Sequence, residues 1–228
     1  MRLSIGVFIA VIFTFFVYSC SEKGGKYINQ GEIHYNIDYS GNVGPMPIEI
    51  MPKNLIVSFK KNKILFEITS PFGNSGILNL ANPDEGIYDT YLSLFSIRYY
   101  YEAELGEQHP GFEAMAGMEI NPTTKTSTIC GYSCKNAEVT FPADRNKVYS
   151  IWYTDEINID EPNAATPFSD IDGVLMSFFF FIGTTELRFD AETVYKKDIP
   201  DASFERREKY KKVSRDQINR IMSKMISL

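Results

Sequence analysis

The chain has 228 residues, of which 44% are hydrophobic and 14% aromatic, and its formal net charge at pH 7 is −6. This composition supplies enough apolar residues for a core and excludes a disordered chain. The negative net charge disfavours nucleic-acid binding, because an acidic protein repels phosphate backbones.

The first twenty residues have the layout of a secretory signal. A positively charged start is followed by an apolar run, Leu3–Val17, and then by Ser19 and Cys20. This order resembles a bacterial lipoprotein signal, in which a peptidase cuts before a cysteine that carries a diacylglycerol. We therefore expect residues 1–19 to be removed and Cys20 to be the lipid attachment site. The alternative is an uncleaved anchor, although the run is shorter than the ~20 residues that span a bilayer.

Cleavage before Cys20 would place the protein in the cell envelope. Removing 19 of the 228 residues, among which Arg2 is the only charged one, leaves 209 residues with a net charge of −7. Residues 20–30 would form a flexible lipidated tether. Ser21 resembles the signal for transfer to the outer membrane, so we expect a lipid anchor in that membrane and a domain facing the periplasm.

Residues 31–228 are predicted to form a single β-rich domain, because no linker-like composition divides them. In the first segment, alternate residues from Ile33 to Tyr39 are apolar, which indicates a half-buried strand. Leu55–Phe59 and Ile64–Ile68 flank a polar turn and predict a hairpin. Further hairpins are predicted at 82–86, 130–134 and 142–146, and another alternating strand from 187 to 195. About eleven strands joined by short turns predict one curved antiparallel sheet, an open half-barrel.

The end of the chain has the pattern of a helix from 214 to 227. Ser214 and Gln217 have the spacing of a capping box, and Val213 and Ile218 can pack together outside it. An apolar stripe runs along one side of this helix and needs a surface to cover. A second, shorter helix is predicted at 113–118.

Two short motifs resemble those of a known protein family. Residues 128–137 read TICGYSCKNA and residues 151–157 read IWYTDEI. They resemble the I-x-G-Y-x-C-K-x-A and W-Y-T-x-x-I patterns of uncharacterised bacterial lipoproteins of unknown function, which are related to the GLPGLI-motif proteins. Residues 171–175 are similar to the Leu-Pro-Gly-Leu-Ile turn of those relatives, with Asp172 in place of the proline. The resemblance implies a lipoprotein-carrier-like fold, with helices covering the concave face of the sheet, and implies no active site.

Cys130 and Cys134 allow two interpretations. If residues 131–133 form a three-residue loop, the two cysteines face each other about 5 Å apart, which suits a disulfide in an exported protein. The alternative is two free thiols, with Cys134 packed in the core as the family motif implies. A zinc site would need two more ligands and the chain has only His34 and His109, so no metal is predicted.

Two other polar stretches carry weak signals for chemistry. Residues 73–76 read GNSG, which resembles the surroundings of a serine nucleophile but is also an ordinary turn. Residues 155–161 form an acidic loop that either binds calcium or is solvated, and it lacks the EF-hand spacing. Because no nucleophile is paired with a base, we predict no enzyme activity and no cofactor.

Two features suggest binding. The run Val174–Ile182 is apolar at nearly every position, so it is either a central strand covered on both faces or the wall of a groove for a lipid-like ligand. The candidate groove residues are Phe178, Phe180, Ile182, Ile218, Met222 and Met225. Residues 206–224 hold eight basic and two acidic side chains, which either balance an acidic sheet or face anionic headgroups or an acidic partner.

These observations predict a lipid-anchored cell-envelope protein that binds or shields a hydrophobic ligand. It would meet the membrane through Cys20 and would bind no nucleic acid. The alternative is a structural or interaction lipoprotein that recognises another envelope protein. A cavity between strand 178–182 and the C-terminal helix would favour the first function, and tight packing between them the second.

Overall fold

The computed structural model describes residues 27–41, 47, 49, 51–73 and 75–227, with side chains up to Lys224. The predicted signal peptide, Cys20 and the tether before residue 27 lie outside the described residues. The strands are β1 (Gln30–Gly41), β2 (Asn54–Lys60), β3 (Lys63–Thr69), β4 (Ser75–Asn82), β5 (Ile87–Leu94), β6 (Ile97–Glu102), β7 (Glu119–Ile129), β8 (Tyr132–Phe141), β9 (Asp144–Thr154), β10 (Val174–Ile182), β11 (Thr185–Tyr195) and β12 (Lys211–Lys212). One α-helix, α1 (Arg215–Ser227), follows them.

All the strands form one open sheet in the order β12-β6-β5-β4-β3-β2-β1-β11-β10-β9-β8-β7. Neighbouring strands are antiparallel except for the short β12, which is parallel to β6. The predicted architecture, mainly β with one open sheet, is therefore confirmed. The alternation of apolar residues did not predict the two-residue strand β12. Its two residues are too short a run to show any period.

The predicted hairpins follow from local sequence. Strands β2 and β3 pair from Leu55 with Ile68 to Lys60 with Lys63, around the polar turn at 61–62. The turns at 83–86 and 142–143 also connect consecutive antiparallel strands. In β1, the side chains of Ile33, Tyr35 and Ile37 are buried, as their alternation predicted.

The inner face of the sheet, defined by Tyr35, Phe66 and Phe178, is covered by chain segments without strand structure. Segment 103–118 and segment 157–173 both pack there, and Ile28 extends the contact by a parallel bridge to Ile157. The largest core cluster lies between these segments and strands β1, β2, β3, β10 and β11. Each fully buried Phe in it contributes roughly 1.5–3 kcal/mol through its removal from water.

Helix α1 covers another part of the inner face, over β4–β6. Ile218 is buried with Leu92, and Val213 packs against the same cluster. The Ser214 hydroxyl accepts a hydrogen bond from Gln217 N at 3.3 Å, and Gln217 Oε1 accepts one from Ser214 N at 3.1 Å. The predicted capping box and the predicted helix are therefore confirmed, with the helix beginning at Arg215.

The opposite face of the sheet holds the segment that leads to β12. Asp89 is fully buried and accepts hydrogen bonds from the Tyr91 hydroxyl at 2.6 Å and from Arg206 Nε at 3.1 Å. Ile199 and Phe204 pack beside them on β3–β5. These contacts fix the basic segment at the β6 edge of the sheet.

The helix predicted at 113–118 is wrong in length. Only Glu113–Met115 forms a turn of 3-10 helix, because Ala116 is extended and Gly117 has a φ of +76°. A left-handed residue at this position ends a helix.

The disulfide interpretation of Cys130 and Cys134 is also wrong in this structure, where both thiols are free. The loop between β7 and β8 has two residues, Cys130 and Gly131, with φ of +51° and +84°, and Ile129 pairs directly with Tyr132. A two-residue turn of this kind fits the twist of the two strands. Because the loop is one residue shorter than expected, the pairing of β7 with β8 shifts, and Cys134 lies opposite Ser127 rather than Cys130.

Candidate functional site

A cleft of about 170 Å³ opens on the inner face, between β3–β5 and segment 157–173. It lies where the irregular segment crosses the sheet, so one wall is pleated strand and the other is loop. Its lining residues are Asn62, Ile64, Phe66, Ala81, Pro83, Tyr88, His109, Asp160, Glu161, Pro162, Ala164, Ala165 and Thr166. The cleft therefore has an apolar floor and a polar, acidic entrance.

The cleft continues into an apolar slot deeper in the core. Ile64, Phe66, Pro162 and Thr166 line both spaces. The slot has a volume of about 20 Å³, and its remaining lining comes from Tyr35, Val57, Ile159, Asn163, Val174, Leu175, Phe178 and Phe180. This volume is close to the space needed by one water molecule, so the slot is nearly filled by side chains.

The loop wall of the cleft is held by a buried asparagine. Asn163 Nδ2 donates to the carbonyl oxygens of Ile171 and Gly173, both at 2.8 Å. The Thr166 hydroxyl donates to the Asn163 carbonyl at 2.9 Å. Since these bonds satisfy buried polar groups, they fix the loop over the slot. Nothing in the sequence marks Asn163, because it lies in a polar stretch that resembles a solvated loop.

His109 is a buried neutral histidine in the cleft wall. Its Nδ1 lies 3.1 Å from the Thr90 hydroxyl, which donates to Asn79 Oδ1 at 2.9 Å. Because the hydroxyl proton is engaged with Asn79, Thr90 accepts from His109 Nδ1–H, and His109 Nε2 is the unprotonated nitrogen. Burial, together with the positive charge of Arg215, lowers the pKa of His109 to about 4.

The acidic entrance influences the neighbouring Tyr88 hydroxyl. Burial, and then the charge of Glu161, raises the pKa of Tyr88. Asp160 stands beside Glu161 in the cleft lining, while the histidine there is uncharged at neutral pH. The entrance therefore repels anions and accepts neutral or cationic groups.

The structure does not bring the six predicted groove residues together. Phe178 and Phe180 lie in the slot, and Ile182 is half-buried at the end of β10. Ile218 and Met222 belong to a separate cluster under α1, and the side chain of Met225 lies outside the described residues.

The segment that separates the two groups is 109–115. The rings of Phe112 and Phe180 are 4.4 Å apart, so Phe112 occupies the place expected for the helix. Gly111 lies so close to the helix that a Cβ there would be 2.5 Å from Met222 Cε. The sequence could not reveal this insertion, because segment 109–115 has no apolar periodicity.

The cysteines are poor nucleophiles in this setting. Burial raises the pKa of the Cys134 thiol to about 11, and burial with the charge of Glu192 raises that of Cys130. Both thiols are therefore protonated at neutral pH. Over the residues described, no cluster of side chains is suited to a metal ion, and no helix has the length and apolar character to cross a membrane.

Comparison with known proteins identifies a fold and no family. No family model matches the sequence, and no curated protein matches it. The structure of PNGF-II aligns with a TM-score of 0.54 and 16% identity over 86% of this chain and 33% of that one. The two share a fold. The chain spans about a third of the length of PNGF-II, and at this identity the similarity is one of fold alone.

A LolA superfamily protein, NE2245 from Nitrosomonas europaea, aligns with a TM-score of 0.33 and 13% identity, over 78% of this chain and 90% of that one. This score is too low to support an inference about function. The resemblance of residues 128–137 and 151–157 to the lipoprotein family therefore stays a prediction from the sequence.

Proposed function

We propose that the protein binds a hydrophobic ligand between the inner face of the sheet and segment 157–173. The observation that carries the proposal is the continuity of the polar cleft with the apolar slot, which share the lining residues Ile64, Phe66, Pro162 and Thr166. An elongated ligand entering the cleft would reach Phe180 along an apolar floor. Ligand sites commonly combine such a floor with a few placed polar groups.

The charges of the entrance select the polar end of the ligand. Asp160 and Glu161 disfavour a carboxylate or phosphate there, whereas His109 offers an unprotonated Nε2 as hydrogen-bond acceptor. A hydroxyl or amide N–H on the ligand would satisfy that acceptor. The proposed ligand is therefore apolar with a neutral or cationic donor at one end.

Binding includes movement of the loop wall. The cleft of about 170 Å³ and the slot of about 20 Å³ are smaller than the 300–1,000 Å³ typical of drug-sized ligands. An acyl chain can enter the slot only when segment 157–173 moves outward. The hydrogen bonds of Asn163 to Ile171 and Gly173 are those that such a movement breaks.

A neutral fluorescent probe, N-phenyl-naphthylamine, tests the site directly. Ala164 is exposed at the cleft entrance, so Ala164→Trp should block the cleft without disturbing the core. Ala143→Trp, at an exposed turn between β8 and β9, is the matched control. We expect probe fluorescence to rise when the wild type or the control is added. Ala164→Trp should bind the probe at least about tenfold more weakly, which is a loss of about 1.4 kcal/mol of binding free energy. Equal binding by all three would contradict the proposed site.

The cellular setting is also part of the proposal. The apolar run before Cys20 supports a lipid anchor, and Ser21 supports an outer-membrane location facing the periplasm. The role proposed for the anchored domain is that of a carrier or sensor of hydrophobic molecules, with no catalysis and no cofactor. The intact mass of the protein from a bacterial envelope tests the anchor. A mass without the diacylglycerol on Cys20 would exclude it.

The alternative function is recognition of another envelope protein. Two observations favour it. The slot is nearly filled, and β7 is an edge strand that has no neighbour on its outer side among the described residues, so a partner strand could pair with it. A protein that excludes the probe, and whose β7 amides become protected from hydrogen exchange in the envelope, would support this alternative. Probe binding that Ala164→Trp abolishes would argue against it.

A further inference from the structure

A second cleft, of about 320 Å³, lies at the other end of the inner face, between α1 and the β6–β12 edge. Its floor is apolar and comes from Tyr99, Val213 and Ile221. Its rim is cationic and includes Lys211 and Arg220. This cleft is separate from the 170 Å³ cleft and shares no lining residue with it.

Part of the positive charge on the rim, that of Lys211, has no partner among the residues that the structure describes. Lys212 is paired with Glu102, but no ion pair or hydrogen bond of the Lys211 ammonium is found among the described residues. Arg220 Nε donates to the Asp216 carbonyl of its own helix at 3.1 Å, and no other hydrogen bond of its guanidinium is found over the described part of the chain. No acidic side chain is among those described as lining the cleft.

The charge distribution of the whole chain makes this rim the place where an anion is attracted. Segment 206–224 carries a charge of +6 while the chain as a whole carries −6, so the remainder is strongly acidic. Like charges on the rim repel one another, and a bound anion removes that repulsion. Lys and Arg side chains are the usual partners of phosphate oxygens.

We propose that this cleft binds a phosphate-bearing amphiphile. The phosphate lies between the Lys211 ammonium and the Arg220 guanidinium, and the adjoining apolar part lies on Val213 and Ile221. A phospholipid headgroup in a bilayer and a soluble phosphate ester share this chemistry. The inference is independent of the ligand proposed for the other cleft, because the two differ in charge and location.

Amine labelling of the full chain distinguishes the two sources. The protein is held in phosphate-free micelles of dodecyl maltoside, in vesicles of equal parts phosphatidylcholine and phosphatidylglycerol, or in the same micelles with added glycerol phosphate. Labelling of each lysine by an acylating reagent is then followed by peptide mass spectrometry. Lys53 and Lys196 are exposed on distant strands or loops and serve as internal controls.

We expect Lys211 labelling to slow about fivefold at a ligand concentration four times Kd, since protection grows as one plus that ratio. The control lysines should label at unchanged rates. Protection only with phosphatidylglycerol identifies a bilayer lipid, and protection with glycerol phosphate identifies a soluble ester. Unchanged labelling of Lys211 in all three samples overturns the proposal.

A pair of arginine variants separates a built site from general attraction. Arg220→Gln should abolish the protection of Lys211. Arg145→Gln removes the same charge from an exposed position in β9, and Lys211 should remain protected in that variant. Both side chains lie on the surface, so folding should be retained. If the protection of Lys211 were lost equally in the two variants, net charge alone would attract the anion. That result would contradict the proposed site.

Discussion

His109 should make the stability of the protein depend on pH between 7.5 and 5. The side chain is 1% exposed, and its pKa is lowered from 6.5 to about 4 by burial and by the charge of Arg215. The folded protein therefore holds the imidazole neutral, while the unfolded chain binds a proton near pH 6.5. The contribution of this histidine is complete above pH 6.5 and is lost as the pH falls from 6.5 towards 4.

The size of the effect follows from the two pKa values. With 6.5 in the unfolded chain and about 4 in the folded protein, lowering the pH from 7.5 to 5 should reduce the free energy of unfolding by about 2 kcal/mol. The pKa values of Glu102 and Glu107 are lowered from the ordinary 4.5, away from this window. Burial raises the pKa of Asp89, but Asp89 is present in both proteins compared and its effect cancels in their difference. His34, the other histidine of the chain, is present in both proteins compared.

Urea unfolding of the wild type and of His109→Gln at both pH values measures the difference. The glutamine amide can donate to the Thr90 hydroxyl but does not titrate, so the variant should lose about 2 kcal/mol less than the wild type over the same pH change. The reasoning is refuted if the two proteins lose stability in parallel.

Three further predictions concern the core, the helix and the thiols. Phe178→Ala should reduce the free energy of unfolding by roughly 3–5 kcal/mol, because the ring is 1% exposed and stacks 4.9 Å from Phe189. Equilibrium urea unfolding measures this loss. A loss under about 1 kcal/mol would contradict the packing. Ser214→Ala should cost about 1 kcal/mol by removing the cap of α1, whereas an unchanged midpoint would contradict the capping role. A thiol reagent should label the exposed Cys130 in the folded protein, and should label the buried Cys134 only after the protein is unfolded in the absence of reductant. If neither cysteine is labelled in the unfolded protein, the two form a disulfide.

The strands and the helix could be predicted from the sequence because local signals agree with the tertiary structure. Alternation in β1 places Ile33 and Tyr35 on the buried face, and the turn between Lys60 and Lys63 fixes the register of its hairpin. The capping pair of Ser214 and Gln217 defines the start of α1 within one residue. Each of these features depends on residues close together in the chain.

The candidate site could not be predicted, because it depends on segments without periodicity. Phe112 lies between the Phe178–Phe180 pair and the helix, and nothing in its neighbours indicates that it crosses the sheet. His109 was only one of two histidines in the sequence, and its burial against Thr90 needs the three-dimensional structure. The Cys130 turn shows a similar limit, since shortening one loop by a residue changed which residue Cys134 faces.

The central claim is that a hydrophobic ligand occupies the space between the inner face and segment 157–173. The most direct measurement is native mass spectrometry of the protein purified from a bacterial envelope, with lipid extraction of the same sample, for the wild type and Ala164→Trp. We predict a stoichiometric adduct that extracts as an apolar molecule from the wild type and is lost in the variant. A wild-type mass without adduct, together with failure to take up added acyl ligands, would contradict the account and would favour recognition of an envelope protein.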